Sequence, residues 1–360
     1  MTIEKILTQQ CQEGKLRVDC FVLNNAKALA AVGIIEKTQQ KLARPEAVYV
    51  IEDQVVPAND PAVSEGQQKM LAFAKRQGTE YAYGQAMASH YLADGVVKAG
   101  DVVVSADEDI FMVGAVGALG ICLCPAKLAQ ALVTGNAEIA KPKAYRVKLA
   151  QKLPEGVDVR DAAKVLVEAI KPYVKPETVI EFSGTNDNLS CTEKMVLCGW
   201  CQKLGVMSAL FVEDNAAADY VLELGKVVSL GAPQEEKEVT VVYIGGAYGG
   251  TLEAVKTVAE AVKGKQVSYK VRLNIAPATA TVYAAAASAG YFTDVLEAGG
   301  MVLNQCALPP VQSRVGVGEV MVSNDIHDEQ DYAGKDGIIY LTSTQTAVQA
   351  ALTGKIGGEQ

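Results

Sequence analysis

Histidine is scarce in this chain. Among 360 residues only His90 and His327 carry an imidazole, so any mechanism that moves a proton through one has to use one of these two. Basic charge is also in short supply. The 33 lysines and arginines against 42 aspartates and glutamates leave a net charge of −9, which argues against a nucleic-acid or anionic-membrane surface. Long apolar runs are missing. The longest, Val113 to Cys124, is interrupted by glycines and reaches about half the length that spans a bilayer. The first residues, MTIEKILTQQCQEGK, put Glu and Gln where a signal peptide needs an unbroken apolar stretch. A cytoplasmic location with no membrane partner is the expectation, and the eight cysteines then read as reduced thiols rather than a disulfide framework. Familiar local signatures are lacking too: there is no GxSxG elbow, no GxGxxG, no P-loop lysine, and no second C-x-x-C beside Cys198–Cys201.

What is present has the balance of a folded globular protein, with 49% apolar and 21% charged residues. Strand and helix signals alternate almost from end to end, the pattern of an α/β protein whose largely parallel sheet is covered by helices. Strands are expected at Val48–Ile51, Val102–Ser105, Val179–Phe182, Ser208–Val212, Val239–Ile244 and Gly337–Leu341. Helices are expected at Glu65–Gln77, Asp161–Ile170, Thr192–Leu204, Leu252–Val262, Thr279–Ala289 and Thr346–Thr353. Two interruptions, around Gly135–Pro142 and at the polar, Pro-containing Gly231–Glu238, suggest three α/β segments: 1–140, 141–232 and 233–360.

Four stretches could carry chemistry. The strand VTVVYI runs into Gly245-Gly246-Ala247-Tyr248-Gly249-Gly250 and then a helix; such a turn can aim N–H groups at an anion, or simply be a tight turn with no ligand. Asp107-Glu108-Asp109 follows a strand end, where carboxylates could bind a divalent cation or form a solvated turn that caps a helix. His90 and His327 are candidate proton carriers, although a lone histidine is more often structural. Cys198-Gly199-Trp200-Cys201 could be a redox pair or half a zinc site, but inside a helix its two cysteines share a face and read as packing. Cys122 and Cys124 read as core for the same reason.

Taken in order, the segments resemble the large subunit of isopropylmalate dehydratase, in the aconitase superfamily. The resemblance runs from MTIEKIL to TAVQAALTGKI and so covers essentially the whole chain. Its landmarks are Glu52-Asp53-Gln54-Val55-Val56-Pro57-Ala58, Gly84–Gly95, Ser105–Gly120, Asn188-Leu189-Ser190, Ile244–Thr251 and Gly318-Glu319-Val320. It implies three-layer α/β/α domains around a central cleft. It also implies reversible dehydration of a small hydroxy-carboxylic acid on a four-iron cluster held by three thiolates. A separate small swivelling subunit usually completes the site.

The departures fall where that chemistry should be. Against IGSCTNGR, Ala247 stands at the cysteine, Gly249 at the asparagine and Thr251 at the arginine. The family's paired cluster cysteines fall on Cys306-Ala307-Leu308-Pro309, which leaves Cys306 as the residual cluster position. One thiolate cannot hold a cluster that takes three from the protein, so no 4Fe–4S cluster is expected. Asp-Ser-His becomes Asp107-Glu108-Asp109, the histidine after the earlier aspartate becomes Gln54, and Gly199 and Lys203 replace the family's Asn and Glu. SNRNF becomes Ser323-Asn324-Asp325-Ile326-His327, whereas Asp53, His90 and Asp107 still match.

Three readings follow. The first is a hydro-lyase without a cluster. In it Mg²⁺ or Mn²⁺ on Asp107, Glu108 and Asp109 replaces the iron, His90, Asp107 and Asp53 form the catalytic set, and Gly245, Gly246, Gly249, Gly250, Ser323 and Asn324 bind the acid. The second is a non-catalytic carboxylate binder or partner subunit, supported by the missing arginine clamps. The third is a cluster-bearing dehydratase that relocates its ligands to Cys306 plus two of Cys122, Cys124, Cys191, Cys198 and Cys201.

Overall fold

The computed structural model describes every residue except 185–187, 214–215, 230–232, 307, 329–331 and 359–360. The start of the Gly231–Glu238 stretch and Ala307 of the Cys306–Pro309 segment therefore lie outside the described residues.

Three wholly parallel sheets form the framework, giving the α/β fold expected from the alternation of strand and helix signals. The first orders its strands Glu80–Tyr83, Val48–Glu52, Cys20–Leu23, Val102–Ser105, Leu119–Cys122. The second runs Ser208–Phe211, Thr178–Gly184, Lys143–Ala150, Tyr220–Glu223. The third runs Met301–Val302, Arg272–Ala276, Val241–Gly245, Val320–Ser323, Ile338–Leu341. Parallel strands need helical crossovers that cover both faces of the sheet, so their central members read as continuous apolar runs. Cys20–Leu23, Val102–Ser105, Ser208–Phe211 and Val241–Gly245 are accordingly buried at every residue.

Helix ends follow local chemistry. The expected helix at Asp161–Ile170 starts earlier, at Val159, because Asp158 caps it and Asp161 reaches back to the Asp158 N–H at 3.0 Å. The helix expected over Thr192–Leu204 runs as Cys191–Trp200 and tightens into a 3₁₀ turn, Cys201–Leu204, before Gly205. Ser190 of the Asn188-Leu189-Ser190 landmark is its cap. Cys198 and Cys201 are buried on this helix, and burial raises both thiols, as packing residues require.

One apolar core joins the first and second sheets through the 3₁₀ segment Glu108–Val116, whose Ile110, Met112 and Val113 pack with Phe182 and Leu197, and it extends to Tyr248 and Cys306. The third sheet keeps a core of its own around Val242, Ile244, Val255 and Val348. Each such fully buried side chain is worth roughly 1.5–3 kcal/mol of transfer free energy.

In each five-stranded sheet the chain lays strands outward to one side of a central strand and then returns to the other. The order switches between Cys20–Leu23 and Val102–Ser105 in the first sheet, and between Val241–Gly245 and Val320–Ser323 in the third. Crevices open at the carboxyl ends of strands at such switch points. The two carboxyl edges are held together by backbone contacts: Met87 N–H donates to the Ala278 carbonyl at 3.0 Å and Ala280 N–H to the Gln85 carbonyl at 2.6 Å. The Gln305 side chain adds a bond to the Gly84 carbonyl at 2.7 Å. Among the described residues no helix is long and apolar enough to cross a membrane.

Candidate functional site

Polar residues cluster at the carboxyl ends of the three central strands of the first sheet. Asn24 follows Cys20–Leu23 and Asp53 follows Val48–Glu52, while Ser105 ends its own strand and leads to Asp107. Asn24 ties them together. Its Nδ2 donates to Asp107 Oδ2 at 3.0 Å and to Asp53 Oδ2 at 3.3 Å, and its Oδ1 accepts from Ser105 Oγ at 3.2 Å. Gln54 Nε2 donates to the same Asp107 oxygen at 2.6 Å, and Ala88 N–H donates to Asp53 at 2.8 Å. Asp53 is buried. The loss of hydration, followed by the nearby charge of Asp107, pushes its carboxyl well above the ordinary range against the pull of those hydrogen bonds.

Asp107 caps the 3₁₀ segment by accepting from Asp109 N–H at 3.2 Å, which turns Asp109 toward the third sheet. There Asp109 Oδ1 accepts from the Tyr248 hydroxyl at 2.7 Å and from Gln202 Nε2 at 3.3 Å. Burial first, and Asp107 second, raise the Asp109 carboxyl to about 7, while His327 pulls in the opposite direction. Both histidines thus act near this cleft. His90 is half-buried with Nε2 2.7 Å from the Ala247 carbonyl. A carbonyl can only accept, so Nε2 carries the proton and Nδ1 is left as the basic nitrogen. Burial pushes His90 below its ordinary value, partly offset by that carbonyl.

Three expected groups do not assemble as the sequence suggests. Glu108 is exposed while Asp107 and Asp109 turn inward, because adjacent residues on a tight turn cannot all face one point. Among the described residues no group of three or more His, Cys, Asp or Glu stands where it could hold a metal ion. The glycine turn is spent on packing. Gly245 N–H donates to Asn324 Oδ1 at 3.0 Å, and Gly250 N–H to the Gly246 carbonyl at 3.0 Å. Gly249 lies so close to the Asn324 amide that a Cβ there would overlap it. Asn324 is fully buried, and its Nδ2 donates to the Gly249 carbonyl at 3.2 Å and to Thr344 Oγ1 at 3.0 Å, while Ser323 Oγ accepts from Asp325 N–H at 3.1 Å. These residues clamp the turn. Asn24, Gln202 and Tyr248 complete the site; Asn24 was visible only as a polar residue after a strand, and Tyr248 only as part of the glycine turn.

Little room remains beside the carboxylates: the cavity lined by Asn24, Asp53, Ser105, Asp107 and Asp109 has about 10 Å³, the space of one water. A far larger cavity of about 610 Å³ lies between helices of the second and third sheets and shares no lining residue with it. Four helix caps, Asp158, Ser190, Thr251 and Ser343, line that larger space, but each already serves its own helix. Size favours the larger space and chemistry the smaller, and proton transfer is decided by chemistry.

A fold with two facing switch points and carboxylates at one of them defines the class. The chain matches the model of the Aconitase family (aconitate hydratase) over residues 4–227, more than half its length, and belongs to that family. More particularly, it is 25% identical to the 3-isopropylmalate dehydratase large subunit 2 of Archaeoglobus fulgidus over 98% of this chain and 97% of that one. It is 27% identical to the homoaconitase large subunit of Thermus thermophilus, covering 86% and 84%. The crystal structure of Thermococcus kodakaraensis aconitase X (holo-form) matches with a TM-score of 0.58 at 13% identity over 97% of this chain and 93% of that chain, a likeness of fold.

The residues present do not fit the family's iron–sulfur cluster. Ala247 offers no thiol, Pro309 begins a short helix, and Cys306 is buried with its Sγ 3.4 Å from the Ala278 carbonyl. Burial, with Asp53 nearby, drives the Cys306 thiol well above its ordinary value, against the thiolate that a cluster needs. Among the described residues Cys306 joins no group of three or more His, Cys, Asp or Glu that could hold a metal ion.

Proposed function

We propose that the chain is a hydro-lyase of the aconitase type acting on a small hydroxy-carboxylic acid without a 4Fe–4S cluster. The reading is carried by one observation: three carboxylates and His90 from the first sheet meet the Ala247–Tyr248 turn of the third sheet, where two switch points face each other. Dehydration takes a proton from the carbon beside a carboxylate and supplies one to the departing hydroxide, which leaves as water. Groups whose environments push their affinities apart suit these roles. His90, held neutral, is the base through Nδ1; Asp109, its carboxyl raised to about 7, is the acid, oriented by Gln202. Asp53 and Asp107 position Asn24 and Gln54 around them. The relatives named above as large subunits support a separate small subunit as partner, which would supply the substrate-binding groups missing here.

A specific observation favours a second reading, a non-catalytic carboxylate binder or partner subunit: only about 10 Å³ is free beside the carboxylates. A panel of hydroxy di- and tricarboxylic acids, assayed for the ultraviolet absorbance of the unsaturated product with chelator present, separates them. Turnover that survives chelation and is lost in Asp109→Asn and His90→Gln supports the hydro-lyase. No turnover with any acid, but co-purification with an active family member, supports the partner subunit. Turnover that requires restored iron contradicts both.

A further inference from the structure

Tyr248 is among the largest fully buried side chains of the protein, yet it sits in a turn that faces the carboxylates. Its backbone carbonyl is held by the Arg160 guanidinium. Its hydroxyl donates to Asp109 Oδ1 at 2.7 Å and accepts from Gln202 Nε2 at 2.6 Å. The ring enters a slot made by a missing side chain: a Cβ at Gly199 would stand 2.5 Å from the ring's Cε1 and 2.6 Å from the hydroxyl. One acceptor, one donor and a slot for the ring are the parts of a ligand site for a hydroxyl group, and the protein's own phenol occupies it.

We propose that Tyr248 is an internal occupant of the cleft, an autoinhibitory contact that must leave the Gly199 slot before a hydroxyl-bearing ligand can reach Asp109 and Gln202. The two side chains then hold the ligand's hydroxyl as they now hold the phenol. The class of ligand, a hydroxy acid, rests on the function proposed above; the occupancy of the slot does not.

The test uses the full chain carrying Tyr248→Gly and phenol as the probe. Trp200, the protein's single tryptophan and the neighbour of Gly199, reports on the slot by fluorescence. Phenol is expected to raise the melting temperature of Tyr248→Gly by a few degrees and to shift Trp200 emission, with no effect on the wild type or on Tyr248→Phe, whose slot stays filled. Phenol that leaves a folded Tyr248→Gly unchanged, or acts equally on the wild type, overturns the proposal. Should Tyr248→Gly not fold, Gly199→Ala decides. Displacement of the ring predicts altered Trp200 emission and faster nitration of Tyr248, whereas unchanged emission and nitration contradict the occupied slot. Hydroxy acids complete the test: at least tenfold tighter binding to Tyr248→Gly than to wild type is expected. Phenol binding without hydroxy-acid binding upholds the occupied slot and overturns the substrate class.

Discussion

The two switch points that face each other use the same topology for different ends. At the first sheet, strands end in Asn24, Asp53 and Ser105, and the side chains turn into the cleft as a linked set of carboxylates and amides. At the third sheet, the strand ends in glycines, and the polar groups turn inward on themselves: Asn324 satisfies Gly245, Gly249 and Thr344 and leaves its amide nothing to offer a ligand. One edge holds a linked set of carboxylates whose burial is costly, while the other holds a turn clamped by Asn324, with one buried carboxylate, Asp325, beside it. Sites that perform chemistry tolerate the first arrangement, and structural joints favour the second.

The comparison breaks most easily at the joint. Asn324→Ala removes three hydrogen bonds and leaves a buried N–H and carbonyl without partners, so a loss of about 3–5 kcal/mol is expected in urea unfolding. A loss below about 1 kcal/mol would show that the turn is held by something else.

At the first sheet the strain is electrostatic, and its sign is testable. Glu52 is buried, and burial raises its carboxyl from 4.5 to about 7. The folded state therefore binds the proton more tightly than the unfolded chain. The stabilisation is present below about pH 4.5 and is lost as pH rises through about 7. Glu52→Gln removes the penalty and is expected to stabilise the protein by up to about 3 kcal/mol near pH 8 but hardly at all near pH 4. Equal effects at both pH values would contradict the burial argument. His90 has the opposite sign: with its value lowered in the fold, it costs stability as pH falls below the unfolded value of 6.5. His90→Gln should flatten the acid side of a melting-temperature profile.

Smaller effects sharpen the contrast. Tyr248→Phe loses the hydroxyl's two hydrogen bonds, to Asp109 and from Gln202, and should cost about 1–3 kcal/mol in the same unfolding assay. Glu108→Ala should change stability by less than about 0.5 kcal/mol, and Mg²⁺ and Mn²⁺ should leave the melting temperature of wild type and variant alike unchanged, because Glu108 is exposed and joins no ligand set among the described residues. A metal-dependent shift abolished by Glu108→Ala would restore the divalent-cation reading.

The framework was largely legible in the sequence because buried parallel strands are apolar throughout. Val48–Glu52, Val102–Ser105 and Val241–Gly245 lie where such runs predict them. Cys20–Leu23 is only four residues long, and Lys143–Ala150 mixes three charges into its pattern, so neither stands out by periodicity. In the cleft, Asp53, His90 and Asp107 could be found because they keep the family's residue types at the ends of recognisable elements. Asn24 and Gln202 could not, and Tyr248 was visible only as part of the glycine turn, since their meeting depends on how one sheet's edge is set against another's. Orientation was the other hidden quantity. Asp107-Glu108-Asp109 reads as three carboxylates in a row, and only the cap that Asp107 makes to Asp109 N–H shows that Glu108 turns away.

The central claim is that this cleft carries no inorganic cofactor of the family type. Iron and acid-labile sulfide, assayed in protein purified without oxygen, test it most directly. The account predicts neither above background and a colourless protein. Stoichiometric iron and sulfide with the broad visible absorbance of an iron–sulfur centre would contradict it.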